Sequence, residues 1–306
     1  MYLEDVLKEF LYHIDIQNYS KRTQKGYRNN NLAFLKYLSN EFQIDELEDV
    51  RTQHIKSYLM YLKNKGRKES YVNTILKSIR AFFNYCVEEG YITQKQNPCI
   101  SVKWMKEPKT LIKTFSDDEI VRMLNVYKMT TYMQARNKLI LMMFIDTGIR
   151  ATELCQLTHN DIFETTIRIH GKGNKHRYIY ISPMLKKYMI KYERIKNEHF
   201  KDSIQEYSNY FLSYRGKPLT VEAVERVVKN AGEKAKVRKN IRCSPHTLRH
   251  CFAQQQLRNG LDLYSLSRLL GHEDIQITKR YLQSIEDEQI IEIGRNTSPL
   301  MNLKRR

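Results

Sequence analysis

Six side chains between positions 150 and 281 are of the types that phosphodiester chemistry uses: Arg150, Lys172, His246, Arg249, His272 and Tyr281. Arginine keeps its charge at any physiological pH, and its planar fork can hold two nonbridging phosphate oxygens at once. Two such groups make a clamp for a phosphorus centre that gains a fifth oxygen. A tyrosine hydroxyl, activated by the charge around it, can attack that centre and store the bond energy in a phosphotyrosine. Each residue also has a plain reading. An arginine after a glycine is commonly a solvated helix-start residue, and a Gly-Lys-Gly-Asn turn is commonly only a turn. Tyr281 is one of 21 tyrosines, so by itself a half-buried core role is its default.

The surrounding patterns say which elements would hold these groups. Arg150 follows Thr147-Gly148, the stop of a helix through Leu139, Met142, Met143 and Ile145, and a further helical stretch starts at Ala151 and runs to Leu157. Lys172 lies in Gly171-Lys172-Gly173-Asn174, flanked by the alternating pairs Ile167, Ile169 and Ile179, Ile181; this predicts a β-hairpin with a basic turn. His246 and Arg249, three apart in a helix expected over 245–259, share one face. A helix from Asp262 to Leu270 stops at Gly271, just before His272, and the last helix contains Ile277 to Leu282. Helices over 183–196 and 220–236, and one opened by the capping box Ser116-Asp117-Asp118-Glu119, complete this part.

The first hundred residues predict a compact bundle of four amphipathic helices. The first carries Leu3, Val6, Leu7, Phe10, Leu11 and Ile14. The second runs from Thr23 to Asn40 on Phe34, Leu35 and Leu38. A third uses Ile55, Tyr58, Leu59 and Leu62 and stops at Gly66, and the fourth runs from Ser70 to Gly90 with Val72, Ile75, Leu76, Ile79, Phe82, Phe83 and Cys86 inside. From Asn97 to Thr114 the periodicity breaks among Pro98, Pro108, lysines and Trp104, as in an exposed linker. The expected fold is mainly α with a small antiparallel β-sheet. Its expected parts are a helical domain at 1–105, a linker at 106–114, a mixed domain at 115–295 and a loose tail at 296–306.

Composition bounds the function. The 306 residues carry 52 Lys plus Arg against 34 Asp plus Glu, a net charge of +18, which asks for a polyanionic partner. The excess is uneven: residues 1–105 hold 16 basic and 12 acidic side chains, and residues 106–306 hold 36 and 22, so the second part should make the stronger phosphate contacts. Five cysteines without a CxxC pair fit reduced thiols, and collagen, disulfide scaffolds and wholly disordered chains are excluded. No apolar run is long enough to span a membrane and the start, Met1 to Asp15, lacks a signal-peptide core, so a soluble, cytoplasmic protein is expected. Cys243, His246, His250 and Cys251 have a zinc-like C-x2-H-x3-H character. Adjacent His250 and Cys251 would point about 100° apart on a helix, however, and the Glu that a zinc hydrolase needs after its first His is missing. No metal site is expected, and His250 reads as a buried, hydrogen-bonded helix residue supporting the site.

Taken in order, Thr147-Gly148-Ile149-Arg150-Ala151-Thr152-Glu153-Leu154, Gly171-Lys172-Gly173-Asn174-Lys175, His246-Thr247-Leu248-Arg249-His250, Leu270-Gly271-His272 and Tyr281 resemble the motifs of the tyrosine recombinases, or phage integrase family. The resemblance spans essentially the whole chain, with a core-binding helical domain followed by a mixed catalytic domain. It implies a DNA recombinase that clamps duplex DNA between its two domains and cuts and rejoins it without metal or nucleotide cofactor. Arg150 and Arg249 would hold the scissile phosphate, and Tyr281 would attack it to leave a 3′-phosphotyrosyl bond and a free 5′-hydroxyl. Lys172 would protonate the 5′ oxygen, His246 would move the tyrosine proton, and His272 would donate a hydrogen bond to the phosphate. Glu153 would orient the site by holding Arg150 or His246. By their types alone, Lys175, Arg177 and the Lys186-Lys187 pair read as contacts to DNA backbone, or merely to water, rather than as part of the chemistry.

The working unit implied is a homotetramer on two recombination sites, with Gln289, Ile290, Ile291 and Ile293 offering an apolar contact to a neighbouring subunit and an accessory directionality factor as a further partner. The contexts Gln254-Gln255-Gln256-Leu257-Arg258-Asn259-Gly260 and Thr278-Lys279-Arg280-Tyr281-Leu282-Gln283 look more like integrases borne by mobile elements than like Xer-type recombinases that resolve chromosome dimers. A type IB topoisomerase and a non-catalytic DNA-binding regulator are the alternatives outside that choice. The intact set of six argues against the regulator, since a pure binder has no need of a phenol there.

Overall fold

The computed structural model describes residues 1–108, 112–171, 176–202, 206–272, 274–282, 291 and 295. The chain divides into two compact units, Met1–Lys109 and Thr110–Arg306. The first is built from α1 (Leu3–Ile16), α2 (Lys21–Phe42), α3 (Thr52–Asn64) and α4 (Glu69–Glu88). Each helix turns its apolar stripe inward, and α4 supplies the most: Val72, Ile75, Leu76, Ile79, Phe82, Phe83 and Cys86 are all buried. Phe10 of α1 meets the Phe82 ring edge-on at 5.8 Å.

Part of the stretch 97–107 differs from the exposed linker that the sequence suggests. Cys99 and Val102 are buried in the core of the first unit, and the Arg80 guanidinium lies 4.2 Å over the Trp104 ring and donates to the Val102 carbonyl. Asn73 pairs with Met105 in both directions, its Nδ2 donating to the carbonyl at 3.0 Å and its Oδ1 accepting from the amide at 2.9 Å. Prolines and lysines break the helical period here. Polar side chains of α4 nevertheless supply the partners that the irregular backbone requires.

In the second unit come α5 (Asp117–Asn125), α6 (Tyr132–Thr147), α7 (Ala151–Gln156), β1 (Thr166–His170), β2 (His176–Tyr180), α8 (Pro183–His199), α9 (Val221–Lys234), α10 (Pro245–Arg258), α11 (Leu263–Leu270) and α12 (Gln276–Lys279). Ser116 caps α5 through the reciprocal bonds of a capping box, Glu119 N–H to Ser116 Oγ and Ser116 N–H to Glu119 Oε2. The strands pair antiparallel with Ile167 opposite Ile179 and Ile169 opposite Arg177. α6 and α10 are buried around most of their circumference and pack against each other, so the residues at their ends are held by the core itself. A smaller apolar cluster joins Phe252, Ala253 and Leu257 of α10 to Leu266 and Leu270 of α11 and to Tyr281.

One buried segment has no counterpart in the sequence reading. Tyr210, Phe211 and Leu212 are fully buried, with Tyr132 Oη and an Arg136 Nη on the Leu212 carbonyl and Lys196 Nζ 2.7 Å from the Tyr210 carbonyl. An apolar run of three is too short to show a period. Among the described residues, no helix is long and apolar enough to cross a membrane.

Candidate active site

Arg150 and Arg249 arrive on different helices and meet at the end of a third. α6 stops at Gly148 with φ +59°, where a Cβ would stand 2.4 Å from the Phe252 ring of α10, so glycine alone allows this approach. The approach brings the Gly148 carbonyl to Arg249, which is only 4% exposed and donates to it at 2.6 Å. The other Nη of Arg249 donates to the Leu270 carbonyl, also at 2.6 Å. Arg150, at the N-cap of α7, donates to the Gly271 carbonyl at 3.1 Å. Both guanidinium groups therefore rest on successive carbonyls at the C-terminus of α11, where the helix carries its partial negative charge. Burial and the neighbouring Arg150 charge press the Arg249 pKa below the usual arginine range, yet it stays protonated at neutral pH.

Glu153 completes this arrangement. Its Oε2 accepts from the Arg150 backbone N–H at 2.8 Å, closing a capping box, and its Oε1 accepts from the Arg150 side chain at 2.8 Å. Arg177 of β2 grips the same carboxylate with both Nη atoms, at 2.9 and 2.7 Å. Burial would raise the Glu153 pKa, but the bonds and charge of Arg177, joined by Arg150, win and hold it at about 2. The expectation that Arg177 contacts DNA backbone is corrected here. Its side chain is 12% exposed, and its Nε is spent on the Leu269 carbonyl at 2.9 Å. Period-2 alternation puts position 177 on the sheet face shared with Ile167, Ile169 and Ile179, and a cation on a buried face takes an internal partner.

His272 follows Gly271, which ends α11 at φ +63°. Its Nε2 is 3.2 Å from an Arg249 Nη and its Nδ1 is 2.8 Å from Thr278 Oγ1. A guanidinium can only donate, so Nε2 presents its lone pair and Nδ1 carries the proton. His250 repeats the pattern, with Nε2 3.3 Å from an Arg280 Nη and Nδ1 2.7 Å from the Tyr281 hydroxyl. Burial first, then the positive charge around them, lowers His272 to about 4 and His250 to about 3, so both are neutral at pH 7. Partial desolvation and then the charges of Arg280 and Arg249 hold His246 below its usual value as well, and its ring packs 4.1 Å edge-on to that of His250.

Tyr281 is 2% exposed, in the small core beside α10 and α11. Burial raises its pKa, opposed by Arg280, Arg249 and Arg150, and the Arg280 guanidinium lies 5.8 Å from its ring. Lys172 and Lys175 lie outside the described residues, as do Gln289, Ile290 and Ile293; Ile291 is exposed. The cross-strand pair His170 and His176 closes the described part of the hairpin. Lys186 is partly buried and Lys187 exposed, on α8. The roles of Thr278 and Arg280, and the pairing of Arg177 with Glu153, are what the sequence reading lacked. No spacing rule marks a fully buried threonine three residues before a tyrosine.

The zinc-like set does not assemble. Cys251 Sγ faces the Phe115 carbonyl while His250 faces Tyr281, and no group of three His, Cys, Asp or Glu side chains among the described residues is placed to hold a metal ion.

Residues 113–288 match the model of the phage integrase family, and residues 6–93 match that of the phage integrase N-terminal SAM-like domain. The chain is 29% identical over 283 residues to the tyrosine recombinase XerD of Staphylococcus aureus, covering 91% of this chain and 94% of that protein. Its fold is similar to that of the XerH site-specific recombinase bound to a palindromic difH substrate, with TM-score 0.74 and 20% identity over 92% of this chain and 81% of that one. It is likewise similar to a lambda integrase (75–356) dimer bound to a COC′ core site, with TM-score 0.72 and 18% identity over 92% and 95%.

Proposed function

Because the chain belongs to the phage integrase family, the tyrosine recombinases, we propose that it is a site-specific recombinase acting on duplex DNA as a homotetramer, with Tyr281 as its nucleophile. The observation that carries this reading is the placement of Arg150 and Arg249 on the successive carbonyls of Gly271 and Leu270, with His272 next in the chain. Two guanidinium groups anchored to a helix end are preorganised, so they stabilise charge that builds on a phosphorane without first rearranging. The Tyr281 oxygen attacks phosphorus, the bond from phosphorus to the 5′ oxygen breaks, and the phenolic proton leaves to an imidazole. His246 is unprotonated at neutral pH and suited to take it. Lys172 supplies the proton that the departing 5′ oxygen needs, and religation reverses each step. The phosphotyrosine conserves the bond energy, so rejoining needs neither nucleotide nor metal.

The biological role divides two ways. The glutamine-rich context of α10 suggests a mobile-element integrase, but two of those glutamines serve packing. Gln254 is buried with its amide on the Ile112 carbonyl and Thr114 hydroxyl, and Gln255 donates to Asp117. The similarity to XerD across nearly the full length of both chains favours the second reading, an Xer-type resolvase. The decisive assay mixes two labelled duplexes, carrying either any inverted repeats found beside the gene or the host's chromosome-dimer resolution site, in EDTA without nucleotide. Recombinant product from one substrate pair assigns the role. Supercoil relaxation with no exchange between duplexes would point to a topoisomerase instead.

A further inference from the structure

Three successive carbonyls at the end of α11 each accept from a different arginine: Leu269 from Arg177 Nε at 2.9 Å, Leu270 from Arg249 at 2.6 Å and Gly271 from Arg150 at 3.1 Å. Arg249 and Arg150 belong to the phosphate clamp proposed above. Arg177 does not face substrate, because its three side-chain nitrogens are all engaged within the protein, two on Glu153 and one on Leu269.

We propose that Arg177 is a positioning residue for strand cleavage, locking Glu153 to the end of α11 and thereby fixing both the place and the effective charge of Arg150. This rests on the reading of Arg150 as a phosphate clamp. The electrostatic argument is direct. Glu153 is shared by Arg150 and Arg177, at 2.8 Å to the first and 2.7 Å to the second. With Arg177 present, two cations share one anion and a net positive charge remains for a phosphate. Without it, the buried carboxylate has Arg150 as its remaining guanidinium partner, and that pair is neutral when the DNA arrives. Geometry adds a second contribution. Gly271 stands so close to Arg177 that a Cβ there would lie 2.9 Å from Arg177 Cδ, so the side chain fills the space beneath the last residue before His272. Losing it removes a contact from the main-chain segment that carries both the Arg150 acceptor and His272.

The test uses the full-length protein on a nicked duplex carrying its own recombination repeat, comparing wild type, Arg177→Met, Arg177→Lys and the double variant Arg177→Met with Glu153→Gln. Three quantities are read: the single-turnover rate of covalent adduct formation at saturating protein, the dissociation constant with its salt slope, and the melting temperature. Arg177→Met should slow cleavage roughly 10–100-fold, the range typical of losing a group that orients a reactive side chain. Its affinity and salt slope should stay close to wild type. Arg177→Lys keeps the charge and loses the fork, so it should fall between. Adding Glu153→Gln should raise the cleavage rate of Arg177→Met, because the uncancelled carboxylate is gone. A fall in affinity equal to the fall in rate, with a salt slope smaller by about one, would make Arg177 an ordinary phosphate contact and overturn the proposal. So would a double variant that regains melting temperature but no rate. Adduct formation by wild type tests the recombinase reading separately, since the proposal depends on the ratio of variant to wild type.

Discussion

Tyr281, proposed above as the nucleophile, is 2% exposed in this structure, and its hydroxyl lies 2.7 Å from the neutral His250 imidazole. On that proposal DNA has to uncover Tyr281, and the imidazole on its hydroxyl is titratable, as is the nearby His272. His250 has a folded pKa of about 3 and His272 of about 4, against an ordinary value of 6.5. Between pH 6.5 and those values the unfolded chain binds more protons than the folded one, so the stability these groups contribute is present above 6.5 and is lost as pH falls. At pH 5, a group shifted as far as His250 has forfeited about 2 kcal/mol. Chemical unfolding at pH 7.5 and pH 5 should show this loss in wild type and a smaller one in His250→Asn, which stays neutral throughout; equal losses would contradict the neutral assignment. Six candidates for phosphate chemistry could be picked out by type and order. The His250 contact with Tyr281 could not, because a helix position shows which face a residue shares and not what a distant segment folds back to meet.

At the scale of elements, the site depends on where helices stop. Gly148 and Gly271 both hold left-handed backbone, and each lies against a side chain from another element, Phe252 and Arg177 respectively. Gly148→Ala should cost roughly 1–2 kcal/mol for the conformation alone, and more for displacing Phe252 and the Gly148 carbonyl that Arg249 uses. A melting curve combined with a cleavage assay checks this: the expected outcome is a lower melting temperature and a cleavage loss that persists at temperatures where the variant is fully folded. A fully active variant would show that the Gly148 turn does not set the position of Arg249. These stops were legible, since glycine after a periodic apolar run marks a helix end. So were the bundle of the first unit, the Ser116 cap and the antiparallel pair of strands. What escaped were the packed stretch 97–107 and the buried Tyr210–Leu212 segment. Irregular backbone is specified by partners far away in sequence, here Asn73 and Arg80 for one and Tyr132, Arg136 and Lys196 for the other.

For the molecule as a whole, a net charge of +18 explains attraction to a polyanion but no chemistry. What distinguishes a recombinase from a basic DNA-binding protein is a covalent bond at one residue. The direct measurement is therefore to incubate the protein with a nicked duplex carrying its recombination repeat, denature the mixture, and map any DNA-linked peptide by mass spectrometry. The account predicts a denaturant-resistant adduct through the 3′ phosphate at Tyr281, and a Tyr281→Phe variant that binds the same duplex with similar affinity and yields none. An adduct on another residue, or undiminished adduct from Tyr281→Phe, would contradict it.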